Sequence, residues 1–206
     1  MGQTMQPDHF LRENYQYFQG WEHWHDKAVN LRRTALVIYK QLLPALRRYE
    51  KATRVAHKKL EKRRAAPVLC NAPDVYPIFS LYGSALENAL KGVMVSHDIG
   101  LIQANRLSSK LKDHKLVKIA ASAGIILTKQ ERAVLDWVSE VVVWKARYSV
   151  PTDITKAKFF HSLDLVSLAN VKGCLAVLDT VFQRTKKKLP QRKRLVRWGV
   201  VLRSDN

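Results

Sequence analysis

Tyr82-Gly83-Ser84-Ala85-Leu86-Glu87-Asn88-Ala89-Leu90-Lys91-Gly92 is the stretch whose reading decides the fold. Tyr82, Leu86 and Leu90, continued by Val93, recur at steps of four and three, the spacing that lines one face of an α-helix. Glu87 and Lys91 stand one turn apart beside that stripe. On an open helix face, a Glu four residues ahead of a Lys adds only about 0.2–0.5 kcal/mol. Next to so apolar a stripe the pair has a second reading: half-buried, with its charges set for a ligand or a partner helix.

Working outward, helical signals follow on both sides. Asp74 is a candidate N-cap and Pro77 suits a first turn, so this helix is expected to run from about Asp74 to Ser96-His97. Residues 98–112 read as a loop with some helical character. A short helix is expected over 113–122, stopped by Gly124. Thr128-Lys129-Gln130-Glu131 is a capping box that opens the next helix, with Val134, Leu135, Val138, Val141 and Val142 as its apolar face. It leaves through Trp144-Lys145-Ala146-Arg147-Tyr148-Ser149-Val150-Pro151, because a residue before proline avoids the helical region. A last long helix is expected over 156–186. No β-hairpin stands out; residues 195–202 lean towards strand.

Upstream, Leu31, Ala35, Ile38, Leu42, Ala45, Tyr49, Ala52 and Ala56 form a heptad-like seam. Basic residues fill most other positions, giving one apolar and one cationic face. Pro44 is expected to kink or split this helix. The seam suits either the chain's own core or a second copy of the chain. His23 and His25 lie two residues apart, on different sides of a helix, with no Cys or third His nearby, so no metal site is expected. Trp21 and Trp24 are expected to staple the segment to the bundle.

The formal charge of +19 is unevenly spread. Residues 27–64 hold thirteen Lys or Arg against Glu50 and Glu61, and residues 184–203 hold nine Lys or Arg and no acid. The region between is nearly neutral. Such charge bears on partners rather than on fold, and nucleic acid is the commonest polyanion for so basic a chain. Anionic membrane surface is the rival partner, and a merely solubilising face the plainer reading. No apolar run approaches the ~20 residues of a membrane span. Cys70 and Cys174 are far apart and in no CxxC motif, which fits free thiols in a reducing compartment. With no secretory-signal pattern, the expected location is cytoplasmic.

The 82–92 stretch, the His114-Lys115-Leu116 start and the Trp144…Arg147-Tyr148…Pro151 exit together resemble the HEPN superfamily (higher-eukaryote and prokaryote nucleotide-binding domains) over roughly residues 74–182. The resemblance implies a small helical bundle, often acting on RNA and often paired as a homodimer. Catalytic members carry Arg-x(4–6)-His near the final helix. Here thirteen residues separate Arg147 from His161, seven separate Arg106 from His114, and two separate Arg54 from His57. That signature is absent, which points to a noncatalytic or divergent member. Glu87, His114, Arg147 and His161 remain the candidate catalytic residues if they converge, since His exchanges protons near neutrality and Arg neutralises phosphate.

The sequence therefore leads to an all-α protein. Residues 1–73 form an arm and a long basic helical segment, 74–186 a HEPN-like up-and-down bundle, and 187–206 a basic tail. The expected function is nucleic-acid binding, RNA in preference to DNA, within a bacterial defence or toxin–antitoxin-type system, as a homo-oligomer and without cofactor or metal. Its candidate contacts are Lys91, Arg184, Lys186, Lys187, Lys188, Arg192, Lys193, Arg194 and Arg197, with Trp198 placed to stack on a base. A metal-independent endoribonuclease with a divergent site and a helical assembly adaptor are the alternatives.

Overall fold

A computed structural model describes residues 20–62, 72–103, 106–145 and 167–190 of the chain. Five α-helices account for most of the described residues: α1 (Trp21–Glu61), α2 (Tyr76–His97), α3 (Leu116–Ser122), α4 (Lys129–Glu140) and α5 (Leu168–Lys188). The all-α bundle read from the sequence is what forms.

Helix α2 is the centre. It packs against α1, α3, α4, α5 and the turn that follows α4. Its sequence explains this, because apolar or small residues appear on every side of it. Ile78, Phe79, Tyr82, Ala85, Leu86, Leu90 and Val93 are buried, and so are Ala89, Gly92, Met94 and Val95. A helix apolar all round has to be enclosed.

Helix α1 runs 41 residues, about 61 Å, against 22 for α2. The two are antiparallel: Trp21 and Trp24 lie against Gly92, while Arg32 reaches Tyr82 ten residues earlier in α2. The expected tryptophan staple is thus placed at the C-terminal half of α2. Helix α1 continues through Pro44 unbroken, so the proline does not divide it. Proline removes one backbone donor without forcing an end to the helix. Ile38 and Leu42 pack on the chain's own core, and Ala35, Leu46 and Ala56 of the same helix are buried.

Several boundaries differ from expectation. Helix α2 begins at Tyr76 with Val75 and not Asp74 as its N-cap, Asp74 Oδ1 accepting the Tyr76 N–H in a turn ahead of it (3.0 Å). Helix α3 begins at Leu116, because Asp113 Oδ1 accepts the Lys115 N–H in a local turn ahead of it (2.9 Å). Helix α5 begins at Leu168, since Ser167 is extended (φ −66°, ψ 138°) and its side chain accepts from Asn170 N. A single helix over 156–186 is therefore ruled out, and the helix ends at Lys188. A two-residue antiparallel pair, Ile102–Gln103 (β1) with Arg106–Leu107 (β2), sits in the 98–112 stretch. It is too short to show a strand period in sequence.

The Thr128–Glu131 capping box forms in full: Glu131 N donates to Thr128 Oγ1, and Thr128 N donates to Glu131 Oε2. Past Glu140 the chain widens into one π-turn, Val141–Lys145. Gly83 is what lets this region approach α2, because a Cβ there would stand 2.5 Å from Val142 Cγ2 and 2.6 Å from Val138 Cγ1. Gly124 ends α3 with a positive φ of 68°, the left-handed conformation that glycine adopts without penalty.

Candidate functional site

Two features of α2 and α1 carry chemistry, and one feature of α5 removes chemistry that the sequence offered. The first is a charged cluster on the inner side of α2. Lys91 Nζ donates to Glu87 Oε1 at 2.6 Å, and His114 Nδ1 lies 3.1 and 3.2 Å from the two carboxylate oxygens of Glu87. Lys91 is buried and the Glu87 side chain is 11 % exposed, whereas the His114 side chain is 56 % exposed. A ring nitrogen facing both oxygens of a carboxylate is the one that carries the hydrogen. The arrangement is a buried carboxylate fixing the tautomer of a solvent-facing histidine, with an ammonium completing its hydrogen bonds. Lys110, Lys112 and Lys115 are exposed on the same loop, and Lys118 pairs with Asp113 (2.8 Å).

The structure thus brings together three of the residues singled out from sequence, Glu87, Lys91 and His114. Arg147 and His161 lie outside the described residues. The enclosure of Lys91 follows from its position on a helix that other elements surround: its ammonium is committed to Glu87.

The second feature is the outer face of α1. At about 100° per residue, Arg33, Lys40, Arg47, Lys51, Arg54, Lys58 and Lys62 fall in one sector about 80° wide. All seven are exposed. The seam residues from Leu31 to Ala56 occupy the opposite side, where they are buried or half-buried. Glu50 and Glu61 lie off one edge of the cationic sector. None of the seven cations is held in an ion pair among the described residues. The sequence showed a cationic face here, but the candidate phosphate contacts were placed elsewhere. The signal that marks this sector is cations recurring in steps of three, four and seven, opposite the seam.

The end of α5 is different. Arg184 pairs with Glu131 and donates to Ile126 O, and Lys188 Nζ donates to Gly124 O at 2.8 Å. These two cations tie α5 to the turn between α3 and α4. Burial would raise the Glu131 carboxyl, but hydrogen bonds from Arg184 and Thr128 outweigh it and hold the group below the usual carboxylate range. Lys186 and Lys187 are exposed. Arg192, Lys193, Arg194, Arg197 and Trp198 lie outside the described residues.

A third polar cluster joins three helices. Tyr82 O–H donates to Asp179 Oδ1 (2.6 Å), and Arg32 Nε donates to both Tyr82 Oη (3.0 Å) and Asp179 Oδ1 (2.8 Å). The guanidinium also lies 5.4 Å from the centre of the Phe182 ring, within cation–π range. Burial pushes the Tyr82 phenol well above its ordinary value, reinforced by its bond to Asp179. Burial would raise Asp179 too, but bonds from Tyr82 and Arg32 and the Arg32 charge hold it low. With every member satisfied, this cluster is a clamp between α1, α2 and α5. A solvent-open groove of about 630 Å³ lies between α1, α2 and β2, lined by His23, Asp26, Lys27, Asn30 and Asn88 among others. No group of three or more potential metal ligands converges among the described residues, and no described helix is long and apolar enough to cross a membrane.

Compared with known proteins, the chain matches no family model, no curated protein and no solved structure.

Proposed function

We propose that this chain is a noncatalytic nucleic-acid-binding protein, RNA preferred over DNA, acting as a homo-oligomer in the cytoplasm within a bacterial defence or toxin–antitoxin-type system. The observation that carries nucleic-acid binding is the outer face of α1, whose seven exposed cations are free of acidic partners among the described residues. Unpaired surface cations release counterions from a phosphate backbone and bind it in a salt-dependent way. A membrane surface fits less well. An interfacial helix needs a free apolar face, and the apolar face of α1 is packed on the core as far as Leu46 and is buried again at Ala56. The HEPN-like assignment, the preference for RNA and the defence setting rest on the resemblance of residues 74–182.

A second reading, a metal-independent endoribonuclease, is favoured by one contact, the Glu87 carboxylate holding His114 Nδ1. The adaptor reading leaned on the seam, and Ile38 and Leu42 of that seam pack within the chain.

The test is binding of labelled RNA and DNA oligonucleotides across a salt series, together with the ultraviolet absorbance ratio of the freshly purified protein. Retained nucleic acid and a log-linear fall of affinity with salt are expected. Absence of binding at low salt overturns the proposal. RNA cleavage in the presence of chelator, lost in His114→Ala, would replace it with the second reading.

A further inference from the structure

We propose that the outer face of α1 is a track for single-stranded rather than duplex nucleic acid, one strand lying along the helix from Arg33 to Lys62. This rests on the nucleic-acid reading above and goes beyond it in naming the surface and the form of the ligand.

Three observations point to a single strand. The seven cations span 29 residues, about 44 Å along the helix, and stay within one sector about 80° wide. They make a straight line of charge. A duplex of that length passes through more than one full turn, since B-form DNA turns in about 34–36 Å. Each of its strands therefore winds away from a straight ridge. A single strand has no such constraint and can follow the line phosphate by phosphate.

The second observation concerns the back of the helix. A duplex can receive an α-helix in its major groove, about 12 Å wide, but a helix 10–12 Å thick must then enter almost whole. Helix α1 is covered from behind: Ile38 and Leu42 pack on the core, and Ala35, Leu46 and Ala56 are buried. It presents an edge and cannot be inserted. The third observation is the width of the stripe. A groove-bound helix needs cations on both flanks to reach both walls, whereas here Glu50 and Glu61 border one flank.

The experiment compares an oligouridylate, an oligodeoxythymidylate and a duplex of equal length on the full chain, over a series of salt concentrations. Single strands should bind at least tenfold more tightly than the duplex at the same salt. Neutralising three cations together, Arg47→Gln, Lys51→Gln and Arg54→Gln, should flatten the log–log salt slope by about 2, at roughly 0.7 per phosphate contact on a single strand. Helicity and the melting midpoint verify that the variant is folded. If the triple variant does not fold, Arg47→Gln and Arg54→Gln are read singly, with about 0.7 expected from each. The charge-retaining set Arg47→Lys, Lys51→Arg and Arg54→Lys should keep the parent slope. Binding with an unchanged slope in the neutralised variants removes α1 from the interface while nucleic-acid binding stands. Tighter binding of the duplex overturns the single-strand claim in the same way. No binding of any oligonucleotide, or binding only to phosphatidylserine vesicles, overturns both proposals.

Discussion

Arg32 on the long first helix and Asp179 on the last meet at 2.6 Å, although they stand 147 positions apart in sequence. Tyr82, fully buried on the central helix, donates to the same carboxylate oxygen. One carboxylate thus sets the spacing of three helices.

Asp179→Asn keeps the shape and removes the charge. Its side chain is 41 % exposed, which weakens the ionic part through solvent screening. We expect a loss of about 1–2 kcal/mol in denaturant unfolding, mostly from hydrogen bonds to a charged acceptor. Tyr82→Phe should lose about 1 kcal/mol, with no change in the denaturant slope.

Acid should unfold the protein through the same carboxylates. Asp179 and Glu131 are held below their ordinary values when folded, so the unfolded chain takes up protons first. Their contribution is complete above the unfolded value of about 4 and is lost as pH falls through the folded values. Tyr82 works at the other end. Its raised value means stability is intact below about 10 and declines above it. Stability measured against pH should show both flanks, and Asp179→Asn should make the acid flank shallower.

Lys91→Met should be among the most damaging single changes on α2. It leaves Glu87 in a nearly closed site with only His114 beside it, a situation worth about 3–5 kcal/mol when a buried pair loses one member. Adding Glu87→Gln to that variant should restore part of the loss. His114→Ala, at an exposed position, should stay within about 1 kcal/mol. Equal damage from His114→Ala and Lys91→Met would show that the histidine is structural.

Gly83→Ala inserts a methyl group where Val142 and Val138 already stand within 2.6 Å of its position. Forcing a packed core apart in this way costs about 1–3 kcal/mol. A thermal melt showing no loss would mean that the π-turn moves away freely.

Ile38→Asp with Leu42→Asp tests the seam. Both residues pack on the chain's own core, so the double variant should lose helicity and unfold. A folded variant whose scattering-derived mass falls from oligomer to monomer would return the seam to an intermolecular role.

Much of the fold was legible because its signals are local. The 82–93 stripe, the Thr128–Glu131 box and the Gly124 stop each depend on residues within a turn or two of one another. The Ser167 start of α5 was missed: apolar residues at Phe159, Leu163 and Val166 continue the period of α5 upstream, and a periodic pattern does not reveal where an extended serine interrupts it. The Glu87–Lys91 pair was visible at one-turn spacing. Its third member, His114, is 27 positions away from Glu87, and spacing gave no means of linking the two. Arg184 and Lys188 mislead in the opposite sense. By composition they are members of a basic run, and only the fold reveals that Glu131 and the Gly124 carbonyl occupy them.

The central position of α2 has a consequence for synthesis. Residues 21–97 supply α1 and α2 together, and they can pair as soon as both have left the ribosome. At that moment the faces of α2 that will meet α3, α4 and α5 are still bare, and they stay so until residues 116–188 are made. Phe79, which will meet Trp137, and Gly83, which will meet Val138 and Val142, are thus in contact with water during that interval, in a half-built molecule that is prone to aggregate. A chain stalled near residue 110 should be found with a chaperone and the full-length chain without one.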